Sequence, residues 1–213
     1  MRSVRAIRAM TPQQVSDAVG AFASRYVEDS AQWLAVTPSR RADLFGQILR
    51  RWQATRPLPM RRTRAEAGHQ PPYLEDLLES ADLRVRSLDG LTVSTVRDRT
   101  AIQDATLGGL WRTFSDLPSS GVASCVGITK AVMLVSDGRI GPAFDSQVRE
   151  RLGLPRPTTS REWIACLEAI ADDIAAFKAA HGPLSQVVPP RFSHLADGRL
   201  YDMALGPRGA ESG

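Results

Sequence analysis

The stretch LPSSGVASCVGITKAVMLVSDGRIGPAFDSQVRERLG, residues 117–153, decides how this chain is read. From Leu117 to Ser136 it holds a single charged residue, Lys130, in a run of apolar and small side chains. Val126, Ile128, Ala131, Val132, Met133, Leu134 and Val135 surround it at nearly every helical phase. That pattern predicts a helix from about 122 or 123 to 136, buried on most sides. Lysine is rarely held in such surroundings without a partner or a task. Gly138 stops the helix after Asp137, and Asp145 opens the next one, in which Val148 and Leu152 point inward. One isolated ammonium thus sits on a buried helix, and a carboxylate starts its successor.

Upstream, Thr100 and Gln103 form a capping box for a helix that packs through Leu107, Leu110, Trp111 and Phe114. Gly108-Gly109 in its middle costs about 1 kcal/mol per glycine relative to alanine, which a close approach of another helix would justify. Leu117-Pro118 ends this helix and Ser119-Ser120-Gly121 turns the chain, giving a helix–turn–helix between Thr100 and Ser136. The N–H groups at the start of the second helix favour an anion such as a DNA phosphate, with Gly121 and Gly127 supplying backbone freedom. An ordinary pair of antiparallel helices has the same pattern.

Further out, Thr11-Pro12-Gln13-Gln14 starts a helix with Val15, Ala18, Val19, Phe22 and Tyr26 on one face. A short piece follows around Trp33-Leu34, and Ser39 caps a helix with the stripe Leu44, Phe45, Ile48, Leu49 and Trp52. Residues 54–72 form a loop with prolines and Arg56, Arg61, Arg62 and Arg64, which reads either as a solvated connection or as a polyanion contact. A short helix begins at Pro72. Asp89-Gly90, between β-favouring residues, predicts a small β-hairpin or extended loop at about 83–96. Thr159 with Glu162 starts the longest helix, to about Ala180, and a final helix spans about 191–205. The expected organisation is a loose arm at 1–10, a single mainly α domain at 11–206 with its core at about 100–153, and a tail at 207–213.

Composition narrows the function classes. Of the 27 cationic residues only Lys130 and Lys178 are lysines, and the net charge is +4. Arginine suits phosphate and carboxylate recognition, although a base-composition bias gives the same count. Cys125 and Cys166 lie in apolar contexts with no disulfide framework or zinc spacing, and His69, His181 and His194 are scattered. There is no phosphate loop, dinucleotide fingerprint or nucleophile elbow, so no metal and no cofactor are expected. Asp172-Asp173 and Glu75-Asp76 read as solvated pairs on helix surfaces. No segment is apolar enough to span a membrane, and MRSVRAIRAM lacks the apolar core of a secretory signal; a cytoplasmic location is expected.

LPSSGVASCVGITKAVML followed by GPAFDSQVRERLG resembles the core of the helix-hairpin-helix DNA glycosylase superfamily. It is still more similar to a group of bacterial proteins of unassigned function related to that superfamily. Their Val-Gly turn, small residue with lysine, apolar helix and Phe-Pro-x-x-Asp pattern is matched by Val126-Gly127, Thr129-Lys130, Pro142 and Asp145. The similarity covers roughly residues 100–153. The hairpin reads Leu-Pro-Ser-Ser-Gly-Val rather than glycine-valine-glycine, and in register on Asp145 the superfamily's catalytic lysine falls on Gly127. The resemblance implies binding to double-stranded DNA. Gly121, Gly127, Arg61, Arg62 and Arg64 are the candidate contacts. It also implies Asp145 and Lys130 as candidate catalytic residues, Asp145 acting at the N-glycosidic bond and Lys130 as a phosphate ligand or amine nucleophile. Trp111 or Trp52 is the candidate to stack on an extruded base. The bland readings stand beside these: Asp145 as a helix N-cap, Lys130 as a snorkelling or structural cation, and the whole as a protein-interaction domain without DNA binding.

Overall fold

The computed structural model describes residues 4–22, 26–66, 68 and 70–206, with Tyr26 described through its backbone alone. It is mainly helical, and no sheet forms among the described residues. Ten α-helices follow in order: α1 (Pro12–Gly20), α2 (Tyr26–Ala35), α3 (Arg41–Arg51), α4 (Leu74–Ser87), α5 (Ala101–Ser115), α6 (Cys125–Val135), α7 (Ser146–Leu152), α8 (Ser160–His181), α9 (Leu184–Val187) and α10 (Asp197–Leu205). Tight 3-10 turns occur at Ile7–Ala9, Pro38–Arg40, Val93–Asp98 and Pro190–Phe192.

Several helix starts follow from local chemistry. Thr11 and Thr100 each accept the N–H three residues on, while Gln14 and Gln103 reach back to the threonine N–H. Thr159 accepts from Glu162 N–H, and the Glu162 carboxylate turns back one residue further, to Thr158. α6 is buried on nearly every face, as its sequence requires: Ile128, Ala131, Val132, Met133 and Leu134 are almost wholly excluded from solvent. Each large apolar side chain so placed stabilises the fold by roughly 1.5–3 kcal/mol. α6 packs on α5, α3 and α4, while α8 packs on α5 and on the turns at 93–98 and 7–9.

Four expectations are corrected. The hairpin at about 83–96 does not form, because α4 continues to Ser87 and a 3-10 turn occupies 93–98. Asp89 and Gly90 do turn the chain with positive φ, but Leu88, Leu91, Val93 and Val96 are buried in the helical core instead of facing a partner strand. The first helix stops at Gly20, so Phe22 lies beyond it and Tyr26 opens α2, which is a full ten-residue helix rather than a short piece around Trp33. The segment from Val4 to Met10 is no loose arm. Val4 and Ile7 are buried, and the fully buried Asp173 carboxylate on α8 accepts the N–H groups of Ala6 (3.2 Å) and Ile7 (2.8 Å). Asp173 is therefore not solvated; it also accepts the Tyr201 hydroxyl (2.8 Å) and faces Arg8 Nε at 3.3 Å. Asp172 does remain exposed, paired with Arg97. The tail at 207–213 lies outside the described residues.

Replacing Asp173 tests this latch. Asp173→Ala leaves two backbone N–H groups and a phenol without their acceptor and takes the carboxylate from beside Arg8. It is expected to lower unfolding free energy by about 3–5 kcal/mol in urea titrations, with Asp173→Asn in between.

Candidate functional site

Lys130 is engaged within the protein. Its Nζ donates to the Trp52 carbonyl at 2.5 Å. Trp52 closes the last turn of α3, where carbonyls lack helical partners and the helix dipole is negative, so a cation there is favoured. Gly127, one turn earlier on the same face, serves the same contact: a Cβ there would sit 2.4 Å from the Ala54 carbonyl oxygen. Gly127 is thus buried against the loop after α3 and presents no surface to a nucleic acid.

Asp145 is the N-cap of α7, its Oδ1 accepting Val148 N–H at 2.9 Å. It makes no ion pair within 4 Å among the described residues, yet it stands close enough to Lys130 for its charge to matter. Burial holds the Lys130 ammonium below the usual lysine range, and the charges of Asp145 and then Asp202 partly offset that. Asp202 is the group that sequence reasoning missed. It is buried on α10, accepts Ala143 N–H at 2.9 Å and lies 3.7 Å from Arg199 Nη1. Burial pushes its carboxyl up to about 6, against the pull of Arg199 and the Ala143 N–H. The available signal was a charged pair at i, i+3, Arg199 and Asp202, among the inward-facing Leu200, Met203 and Leu205.

The network continues. The Arg199 guanidinium lies over the Trp52 ring at 5.5 Å, Trp52 Nε1 donates to Asp29 Oδ2 at 2.8 Å, and Arg51 bonds the other Asp29 oxygen. These residues tie α2, α3, α6 and α10 through buried polar contacts. Five clefts among the described residues have linings without Lys130, Asp145 or Asp202. No group of three potential metal ligands occurs among the described residues.

The other candidates are placed as follows. Gly121 is exposed in the turn between α5 and α6 with φ of 71°. That turn is braced from outside: Arg61 N–H donates to Leu117 O and Ser119 N–H to Pro59 O, both at 2.9 Å. The loop arginines are engaged within the protein. Arg61 bonds the Asp116 and Pro72 carbonyls, Arg62 lies 4.0 Å from Glu66, and Arg64 bonds Asp76. Trp111 and Trp52 are buried, Trp111 against Trp163 at 5.6 Å, so neither ring is free to stack on a base.

Sequence reasoning also passed over Arg112, Arg149, Arg156 and Arg161, which have no carboxylate within 4 Å among the described residues. Arg156 and Arg149 both stand near Cys125, the first residue of α6: burial raises that thiol, and these two guanidinium groups oppose the rise. Arg149 keeps its Nε without a hydrogen-bond partner among the described residues. The Cys166 thiol is pushed up to about 11, chiefly by burial, which leaves it inert at neutral pH.

No family model matches the chain, and neither a curated protein nor a solved structure matches it significantly.

The site yields two expected outcomes. A carboxyl raised from 3.8 to about 6 stabilises the fold fully below its unfolded value and loses that contribution as pH rises through about 6. The stability of the wild type minus that of Asp202→Asn should therefore fall by on the order of 3 kcal/mol between pH 4 and pH 7, read from urea unfolding at each pH. Gly127→Ala should destabilise by about 1–3 kcal/mol, since backbone rather than a side-chain end must move; thermal unfolding measures it.

Proposed function

We propose that this protein binds nucleic acid through its phosphates and does no chemistry on it, using the end of the molecule where α6 begins. The observation that carries this reading is the pair Arg149 and Arg156 near the first residue of α6, neither with a carboxylate within 4 Å among the described residues. Beside them the turn at 119–122 is exposed, Val122 at 70%. Asp145 contributes indirectly: as N-cap it fixes the start of α7, the helix that carries Arg149. Cationic side chains at a helix N-terminus suit a phosphate oxygen. Support for the absence of catalysis comes from the roles already filled, Lys130 on the Trp52 carbonyl and Asp145 on Val148 N–H.

Fluorescence anisotropy of a labelled duplex, titrated across salt, tests the reading. Binding should weaken with a linear log–log slope, and Arg149→Ala with Arg156→Ala should lower that slope by roughly one per arginine. Duplexes carrying damaged bases should keep them, and borohydride should trap no adduct at Lys130. Absence of binding at low salt would sink the proposal in favour of a protein-interaction domain.

A further inference from the structure

A second surface includes none of Cys125, Arg149 and Arg156 in its lining. Between α5 and α8 runs a groove of about 720 Å³, within the roughly 300–1,000 Å³ range of small-molecule sites. Its floor is made of small or apolar residues, Ala105, Gly108, Ile164 and Ala165. Its walls differ in charge along its length. Arg112 and Arg161 line it, exposed and without a carboxylate within 4 Å among the described residues. The other charged group lining it is an ion cluster in which Arg99 bonds Asp104 Oδ1 (2.6 Å) and Glu168 Oε1 (2.7 Å). That leaves one oxygen of each carboxylate without a hydrogen-bond partner among the described residues.

The two central glycines of α5 differ in their surroundings. A Cβ at Gly109 would meet Arg84 Nε at 2.4 Å, so a side chain there would have to displace that arginine. A Cβ at Gly108 would meet only Arg112 Nη1 at 3.7 Å and Ser160 Oγ at 3.8 Å, ordinary contact distances. Alanine therefore fits at 108 and favours the helix more. What glycine gives there is a deeper floor between the two free arginines and the ion cluster.

We infer that this groove binds a phosphate ester bearing hydroxyl or amino donors. The phosphate lies between Arg112 and Arg161, where planar guanidinium groups bond two oxygens at once. The organic part lies over Gly108, and its donors meet the free oxygens of Asp104 and Glu168. The free ester and the backbone of a single strand share this chemistry.

Isothermal titration with 5′-AMP, inorganic phosphate and a short single-stranded oligonucleotide tests it. 5′-AMP should bind more tightly than inorganic phosphate. Arg112→Ala with Arg161→Ala, and separately Gly108→Leu, should each weaken it at least tenfold while circular dichroism stays helical. Asp104→Asn with Glu168→Gln should weaken 5′-AMP and leave inorganic phosphate unchanged. If only the oligonucleotide binds, and needs Arg112, Arg161 and an open Gly108, the phosphate comes from nucleic acid and the groove stands. Failure of both 5′-AMP and oligonucleotide to bind at millimolar concentration overturns the inference. So does binding untouched by these variants; oligonucleotide binding lost only with Arg149 and Arg156 would refute the groove and leave the reading of the α6 end intact.

Discussion

The peptide groups of residues 140–144 lie inside the molecule with no strand beside them to pair with. A buried N–H or carbonyl left unmet costs about 1–3 kcal/mol, so an all-helical chain that buries a loop must recruit side chains to it. Here Ser136 Oγ receives Ile140 N–H, Asp202 receives Ala143 N–H and Thr129 Oγ1 receives Phe144 N–H. The same device recurs where Asp173 receives Ala6 and Ile7 and where Lys130 meets the Trp52 carbonyl. The polar residues on α6, α8 and α10 are thus the fastenings of the irregular segments between helices.

This constraint reassigns the groups that look most chemical. A buried lysine near two aspartates has the composition of a catalytic centre. In this fold the lysine closes α3, one aspartate opens α7 and the other holds a loop. The charge that remains free is arginine, and it is unevenly placed. On the loop after α3 guanidinium groups bond carbonyls and carboxylates of their own protein. Around the α7–α8 connection Arg149, Arg156 and Arg161 have no carboxylate within 4 Å among the described residues.

The helical class, the capping boxes and the buried character of α6 were legible in the sequence, because each rests on periodicity or on residues three apart. Asp145 was legible as an N-cap for the same reason. Asp173 was not: its partners are 166 and 167 residues away, and Asp172-Asp173 has the local look of a solvated pair. The Asp89-Gly90 turn was read correctly as a turn and wrongly as a hairpin, since the apolar residues around it suit a helix-packed segment as well as a strand. The solitary lysine was a true signal of burial. Its partner, a backbone carbonyl 78 positions earlier, leaves no mark on a sequence.

The latch at Asp173 has a bearing on how the chain assembles. The acceptor of Ala6 N–H is made only 167 positions after it, with the Tyr201 phenol later still. Contacts of such separation form slowly and leave apolar surface bare meanwhile. Val4 and Ile7 must therefore stay unsheltered while those positions are made, and a chaperone able to hold that short segment would find its longest window there.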